Sequence, residues 1–227
     1  MKNIVIIGCS RGIGKELVLN LSQSHKVLAL SRNTEKLKEF ETNTSVTCVG
    51  FDISKQDAKS TLDKIIGDNF KTVDILINNA GYLVNKPVLE ITTKDIEYSY
   101  ATNVFGIIQS CQASIPYMMT EGGHIVNIGS MGGFQGSSKF PGLSVYSSSK
   151  AAVASLTECL AEELKETKIK VNCLALGAAQ TEMLNEAFPG YEAPVSAKEM
   201  AEYISDFSLN SSNWINGKII PVSKTTP

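Results

Sequence analysis

Tyr146 and Lys150 stand four residues apart in Val145-Tyr146-Ser147-Ser148-Ser149-Lys150, the stretch best equipped for proton chemistry. On a helix the two project from one face, one turn apart. A phenol titrates near ~10 in water, too high for efficient proton exchange at neutral pH, and an ammonium within ~4–6 Å draws that value down. The pair can therefore form a tuned acid/base. An isolated Tyr-x-x-x-Lys is more often a plain helix face with its lysine stem lying along it, so the rest of the chain decides its meaning.

A second chemical signal opens the chain. An aliphatic run at 4–7 leads into Gly8-Cys9-Ser10-Arg11-Gly12-Ile13-Gly14, and helical spacing follows at 15–22. Strand, glycine-rich turn and helix in that order make a phosphate cradle, because glycines allow close approach and the helix start offers unpaired N–H groups. The spacing G-x-x-x-G-x-G differs from the common G-x-G-x-x-G and from the P-loop, which ends in GK[ST]. The next apolar run, 26–30, ends at Ser31-Arg32. An acid at that place would suit the ribose 2′-hydroxyl of NAD, whereas an arginine suits a 2′-phosphate. NADP(H) is therefore favoured over NAD(H), with Arg11 a second candidate contact. The plain alternative for each arginine is a solvated surface charge.

The elements that would position these groups alternate along the chain. Strands are expected at 45–51, 74–77, 124–128, 169–176 and 218–222, and helices at 34–41, 57–70, 93–119 (interrupted near Pro116), 145–165 and 196–209. Ser196 and Glu199 form a capping box for the last helix. Residues 131–144 read as a loop and 183–194 as a mobile flap. The pattern indicates an α/β fold, a Rossmann-type doubly wound parallel sheet of about seven strands in a single domain spanning 1–227, with a short substrate flap near 181–196.

Composition narrows the function. The 227 residues carry a net charge of −2, with 43% hydrophobic and 19% charged side chains, as in an ordinary soluble globular protein. Nothing in that balance points to nucleic acid or an anionic membrane. Five scattered cysteines without a CxxC suggest reduced thiols and a cytoplasmic protein. With only His25 and His124, no metal site is expected.

Gly8-x-x-x-Gly12-x-Gly14, Asn78-Asn79-Ala80-Gly81, Asn103, Ser130 and Tyr146-x-x-x-Lys150 occur in this order. The chain thereby resembles the short-chain dehydrogenase/reductase family from about Ile4 to Val222. The resemblance implies hydride transfer between a nicotinamide and a carbonyl or alcohol. Tyr146 would be the acid/base, and Lys150 would lower its pKa and bind the ribose. Ser130 would orient the substrate oxygen and Asn103 would hold a relay water. Ser10, Arg11 and Ile13 would cradle the pyrophosphate, Asp52 and Ile53 would meet the adenine, and Arg32 would meet the 2′-phosphate. Asn79, Ala80 and Gly81 would flank the ribose and nicotinamide, with Gly177, Ala179 and Thr181 beside the carboxamide. A homodimer or homotetramer is also implied.

Some positions depart from the family pattern. Ile7 replaces a threonine that braces the turn, Leu176 replaces a proline before Gly177, and Pro221-Val222-Ser223 stands where Asp-Gly-Gly is usual. The loop after Ser130 is also longer than is common. Tyr82, Leu83, Met131, Phe140, Leu143, Met183, Leu184 and Phe188 are candidates for a largely apolar substrate pocket, and equally for core. The competing reading is a nucleotide-binding, redox-sensing module with little turnover, although such a module would be expected to lose the tyrosine, lysine or serine.

Overall fold

A computed structural model of the protein describes residues 1–224; residues 225–227, the last of the expected domain, lie outside the described residues. Seven strands form one parallel sheet in the order β3-β2-β1-β4-β5-β6-β7. They are β1 (Asn3–Ile7), β2 (Lys26–Ser31), β3 (Val46–Gly50), β4 (Ile75–Asn78), β5 (Gly123–Ile128), β6 (Ile169–Leu176) and β7 (Ile219–Val222). The order reverses between β1 and β4, which opens a crevice at their carboxyl ends. The doubly wound sheet is thus the one the alternation of elements implies.

Period-two alternation splits the core into two layers. Val5 and Ile7 pack with α2 (Ala58–Asn69), α4 (Gly106–Ser114) and α5 (Ser144–Glu163), through Leu62, Ile107 and Val153. Ile4 and Ile6 pack on the other side with α1 (Gly12–Leu21) and α7 (Ala197–Asn210), through Leu17 and Ile204. The remaining α-helices are α3 (Thr93–Tyr100) and the flap helix α6 (Glu182–Ala187). Capping boxes start two of these helices: Thr92 with Asp95 at α3, and the expected Ser196 with Glu199 at α7.

Three segments differ from the sequence reading. The helix expected at 34–41 is a 3₁₀ stretch, Glu35–Phe40, because its two buried side chains, Leu37 and Phe40, are three apart and align at three residues per turn. The helix expected at 93–119 does break at Pro116, in a 3₁₀ turn, but it also widens at Ala101–Phe105 into a π turn, where Gly106 N–H reaches back to Ala101 O. The flap contains α6, started by Thr181 Oγ1 accepting Leu184 N–H at 3.2 Å, and its base is closed by a bridge between Gln180 and Ser196. Among the described residues no helix is long and apolar enough to cross a membrane.

His124, 2% exposed, fastens β5 to the end of α7. Its Nδ1 lies 3.0 Å from Ser208 O, which can only accept, so that nitrogen carries the proton and Nε2 accepts from Asn172 Nδ2 at 3.0 Å. Burial holds the imidazole below its usual pKa. Half-exposed His25 is shifted in the same direction, first by burial and then by the nearby amino terminus and Lys2. The unfolded chain therefore takes up these protons first, and stability falls as pH drops below ~6.5. His124→Gln, which keeps a donor and an acceptor, is expected to flatten the fall in Tm between pH 7 and 5.5. An unchanged slope would remove His124 as the cause.

Candidate active site

One cavity of about 990 Å³ opens at the carboxyl ends of the strands. It is large enough for two small ligands side by side. At one end the start of α1 meets it: Arg11, Gly12 and Ile13 line the wall, no side chain caps the helix, and its first turn holds no acid. Uncompensated N–H groups at a helix start suit a diphosphate, so the residues present fit a dinucleotide. Gly8 (φ +91°) makes the turn possible, since a β-carbon there would lie 2.5 Å from Ala80 Cα. Ile7 cannot brace this turn with a hydroxyl. Asn79 braces it, its Nδ2 donating to Gly8 O at 2.6 Å.

Arg11 and Arg32 are held differently. Arg11 forms a two-pronged pair with Glu186 on α6, with Nη2 to Oε2 at 2.9 Å and a second bond from Nη1 to Oε1. That carboxylate raises the arginine's pKa and is itself lowered in return. Arg32 donates to the Tyr98 hydroxyl and lies 5.8 Å from the centre of the Tyr98 ring. A phenol is neutral, so Arg32 keeps its charge beside Ser31, Asn33 and Thr34 on the cavity wall. Asp52 lines the same end, its Oδ1 accepting from Ser54 N–H at 3.0 Å and Ser54 Oγ at 2.7 Å.

At the other end α5 brings Tyr146 and Lys150 beneath the turn that follows β5. Lys150 is 4% exposed and donates from Nζ to Ile128 O at 2.7 Å. Burial pulls its pKa down to about 8, partly opposed by Cys173. Nζ stands 5.9 Å from the centre of the Tyr146 ring. Burial raises the Tyr146 pKa, and the opposing influence is a hydrogen bond with Ser130. The net direction at Tyr146 is therefore upward, with burial outweighing the lowering expected of a nearby cation. Ser130 Oγ also accepts Gly132 N–H at 3.1 Å, which starts the turn Met131–Gly133. That turn lies directly on α5: a β-carbon on Gly133 would sit 2.5 Å from the Lys150 carbonyl carbon.

Most of the expected residues line this one cavity: Gly8, Ser10, Arg11, Gly12, Ile13, Arg32, Asp52, Ile53, Asn79, Ala80, Gly81, Ser130, Tyr146, Lys150, Gly177, Ala179 and Thr181. Gly14 and Asn103 lie behind the wall. A β-carbon on Gly14 would come 2.0 Å from Gly8 O, so its part is packing. Asn103, in the π turn, accepts Tyr82 N–H at 2.8 Å and donates to Tyr82 O at 2.9 Å, Ser149 Oγ at 2.9 Å and Ser99 Oγ at 3.3 Å. With its donors committed to protein, it holds the 81–82 loop in place, and any water beside it would have to donate to an oxygen.

Of the apolar candidates, all but Tyr82 line the cavity; Tyr82 stacks edge-on with Tyr98 at 4.7 Å. Leu176 does not leave its turn loose, because Gly177 N–H donates to Val222 O at 2.8 Å and Ser223 abuts Gly177. The sequence reading missed Glu186, Tyr98 and Tyr191. Of these only Tyr191, an aromatic within the flap, carried a local signal.

The sequence matches the short chain dehydrogenase profile over residues 2–192. It is 34% identical over 186 residues to carbonyl reductase family member 4 of Danio rerio, covering 79% of this chain and 76% of that one. The fold is similar to a structure described as ElxO with NADP bound, with a TM-score of 0.86 and 27% identity over 98% of this chain and 97% of the other. It is also similar to a 3-ketoacyl-(acyl-carrier-protein) reductase from Brucella melitensis complexed with NADH. That pair has a TM-score of 0.88 and 24% identity, over 97% and 96% of the two chains, a likeness of fold.

The buried ammonium has a cost that can be measured. Lowering a lysine from 10.5 to about 8 corresponds to about 3 kcal/mol of lost stability at neutral pH. A hydrogen bond from a charged group returns about 1.5–3 kcal/mol, so the one to Ile128 O offsets only part of it. Lys150→Met, similar in volume, is therefore expected to raise Tm at pH 7. The advantage should shrink from about pH 8 towards 10.5, where the lysine is buried uncharged. A lower Tm across that range would reverse the sign assigned to this group.

Proposed function

On the premise that the chain belongs to the short chain dehydrogenase family, shown by its match over residues 2–192, we propose that it is an NADP(H)-preferring reductase of carbonyl compounds. Membership makes it an NAD(P)-dependent oxidoreductase; the preference and the residue roles are our reading. The observation that carries it is that Ser130, Tyr146 and Lys150 line the same cavity as the uncapped start of α1.

The bound nicotinamide supplies the hydride. Tyr146, raised by burial, is a neutral phenol at neutral pH and so stands ready to give its proton to the substrate oxygen. Ser130 orients that oxygen with its hydroxyl, beside Tyr146 on the same cavity wall. Lys150, positive below about pH 8, favours the phenolate left behind and binds the ribose, and a relay water near Asn103 returns the proton. Main-chain groups of Ser10, Arg11, Gly12 and Ile13 hold the pyrophosphate. Asp52 and Ile53 meet the adenine. Asn79, Ala80 and Gly81 flank the ribose, with Gly177, Ala179 and Thr181 beside the carboxamide. Arg32 is the cation for the 2′-phosphate, since Arg11 is already matched by Glu186. Phe105, exposed on the π turn, is consistent with a homo-oligomer.

Turnover of NADPH with a panel of aldehydes and ketones tests the reading; tight nucleotide binding with no turnover would favour a sensing module. Tyr146→Phe is expected to cut kcat at least ~100-fold with NADPH affinity within about twofold of wild type. Wild-type rates in that variant would refute the acid assignment. Arg32→Ala should weaken NADPH by ~10–100-fold and NADH hardly at all, as for a lost charge-assisted hydrogen bond. Equal losses, measured by fluorescence titration, would count against the 2′-phosphate contact.

A further inference from the structure

We infer that the substrate end of the cavity accepts only uncharged, apolar carbonyl compounds and turns away those carrying a carboxylate or phosphate near the reacting carbon. This rests on the carbonyl-reductase reading above.

The inference comes from where the charges are. Leu83, Met131, Leu143, Met183, Phe188 and Tyr191 surround the space beyond Tyr146. The charged groups lining the cavity are elsewhere or already matched. Arg32 and Asp52 stand at the adenine end, and Lys150 is buried on Ile128 O. Arg11 is paired with Glu186, and Glu182 beside it adds negative charge at the seam between the two halves. Near the rim neither lysine lines the cavity: Lys86 is matched by Asp95 on α3, and Lys139 is exposed. Lys139 donates to Phe134 O at 2.7 Å and Ser137 Oγ at 2.8 Å, and Lys86 pairs with Asp95 at 2.8 Å. A carboxylate entering this space would lose water and meet no cation among the side chains that surround it.

The rim itself is aromatic. Phe140 and Tyr191, 49% and 50% exposed, present apolar surface that no other part of the described fold covers. Three loops meet here through Asn85. Its Nδ2 donates to Ala187 O of α6 at 2.8 Å, and the next residue, Lys86, donates from its N–H to Gly142 O at 3.0 Å. Gly142 (φ +84°) has no room for a side chain, since a β-carbon would lie 2.1 Å from Asn85 Oδ1. The apolar walls are thus tied together around one chamber.

The test uses a matched pair, ethyl acetoacetate and acetoacetate, which share the ketone and differ in charge. With NADPH, kcat/KM for the ester is expected to exceed that for the acid by about 100-fold or more. Tyr191→Arg, which places a cation at the exposed rim, should raise kcat/KM for the acid about 10-fold or more. Comparable rates for ester and acid in the wild type, or an acid rate unmoved by Tyr191→Arg, would overturn the inference. Calorimetric titration of the enzyme–NADP⁺ complex with ethyl 3-hydroxybutyrate and with 3-hydroxybutyrate separates binding from reaction. Binding of the ester alone, with neither ketone reduced, would keep the charge rule and defeat the reductase reading. Binding of the anion as tightly as the ester, or of neither, would defeat the charge rule whatever the rates.

Discussion

A single ammonium group, buried where β5 ends, constrains this molecule more than any other. An isolated positive charge out of water is costly, and one hydrogen bond to Ile128 O recovers only part of that cost. The fold keeps the group there by holding α5 against the end of β5, with the Met131–Gly133 turn laid on the helix backbone. The two glycines of that turn let Ser130 come within reach of Tyr146. The hydroxyl, phenol and ammonium therefore occupy one small volume because backbone meets backbone there. The site is unfavourable to build, and the apolar packing on both faces of the sheet offsets it.

A set of buried polar groups keeps α4 and α5 in step with the strands between them. Asn78 on β4 donates to Asn127 Oδ1 on β5 at 2.9 Å, Asn127 donates to Thr157 Oγ1 on α5 at 3.0 Å, and Ser110 on α4 donates to Asn78 Oδ1 at 2.6 Å. All four of these residues are fully or almost fully buried, and each finds a partner. Such groups favour one register over its neighbours, since any slip would strand a desolvated amide. The helix that carries Lys150 is thereby indexed to the strand that receives its hydrogen bond.

How much of this was readable in advance depends on the range of the interaction. The Ile4–Ile7 run, the glycine turn and the start of α1 are consecutive, so local pattern exposes them, as it does the four-residue step from Tyr146 to Lys150. The family resemblance then supplied Ser130 and the strand-end residues. The pairing of Arg11 with Glu186 spans 175 positions and that of Arg32 with Tyr98 spans 66, and no periodicity signals either. The direction of the Tyr146 shift was also out of reach. It is a contest between burial and a hydrogen bond, and neither is visible before the chain is folded. The π turn was hidden for another reason: one extra residue per turn leaves composition and spacing almost unaltered, yet it sets where the Asn103 amide points.

The shared bond between Asn78 and Asn127 has a consequence for how this sequence can drift. Loss of either amide leaves one buried polar atom of the other without its partner, so a single replacement at one position is harmful unless the second changes too. Among relatives that keep this architecture, the two sites should alter in tandem: both amides retained, or both exchanged together for side chains of matching shape.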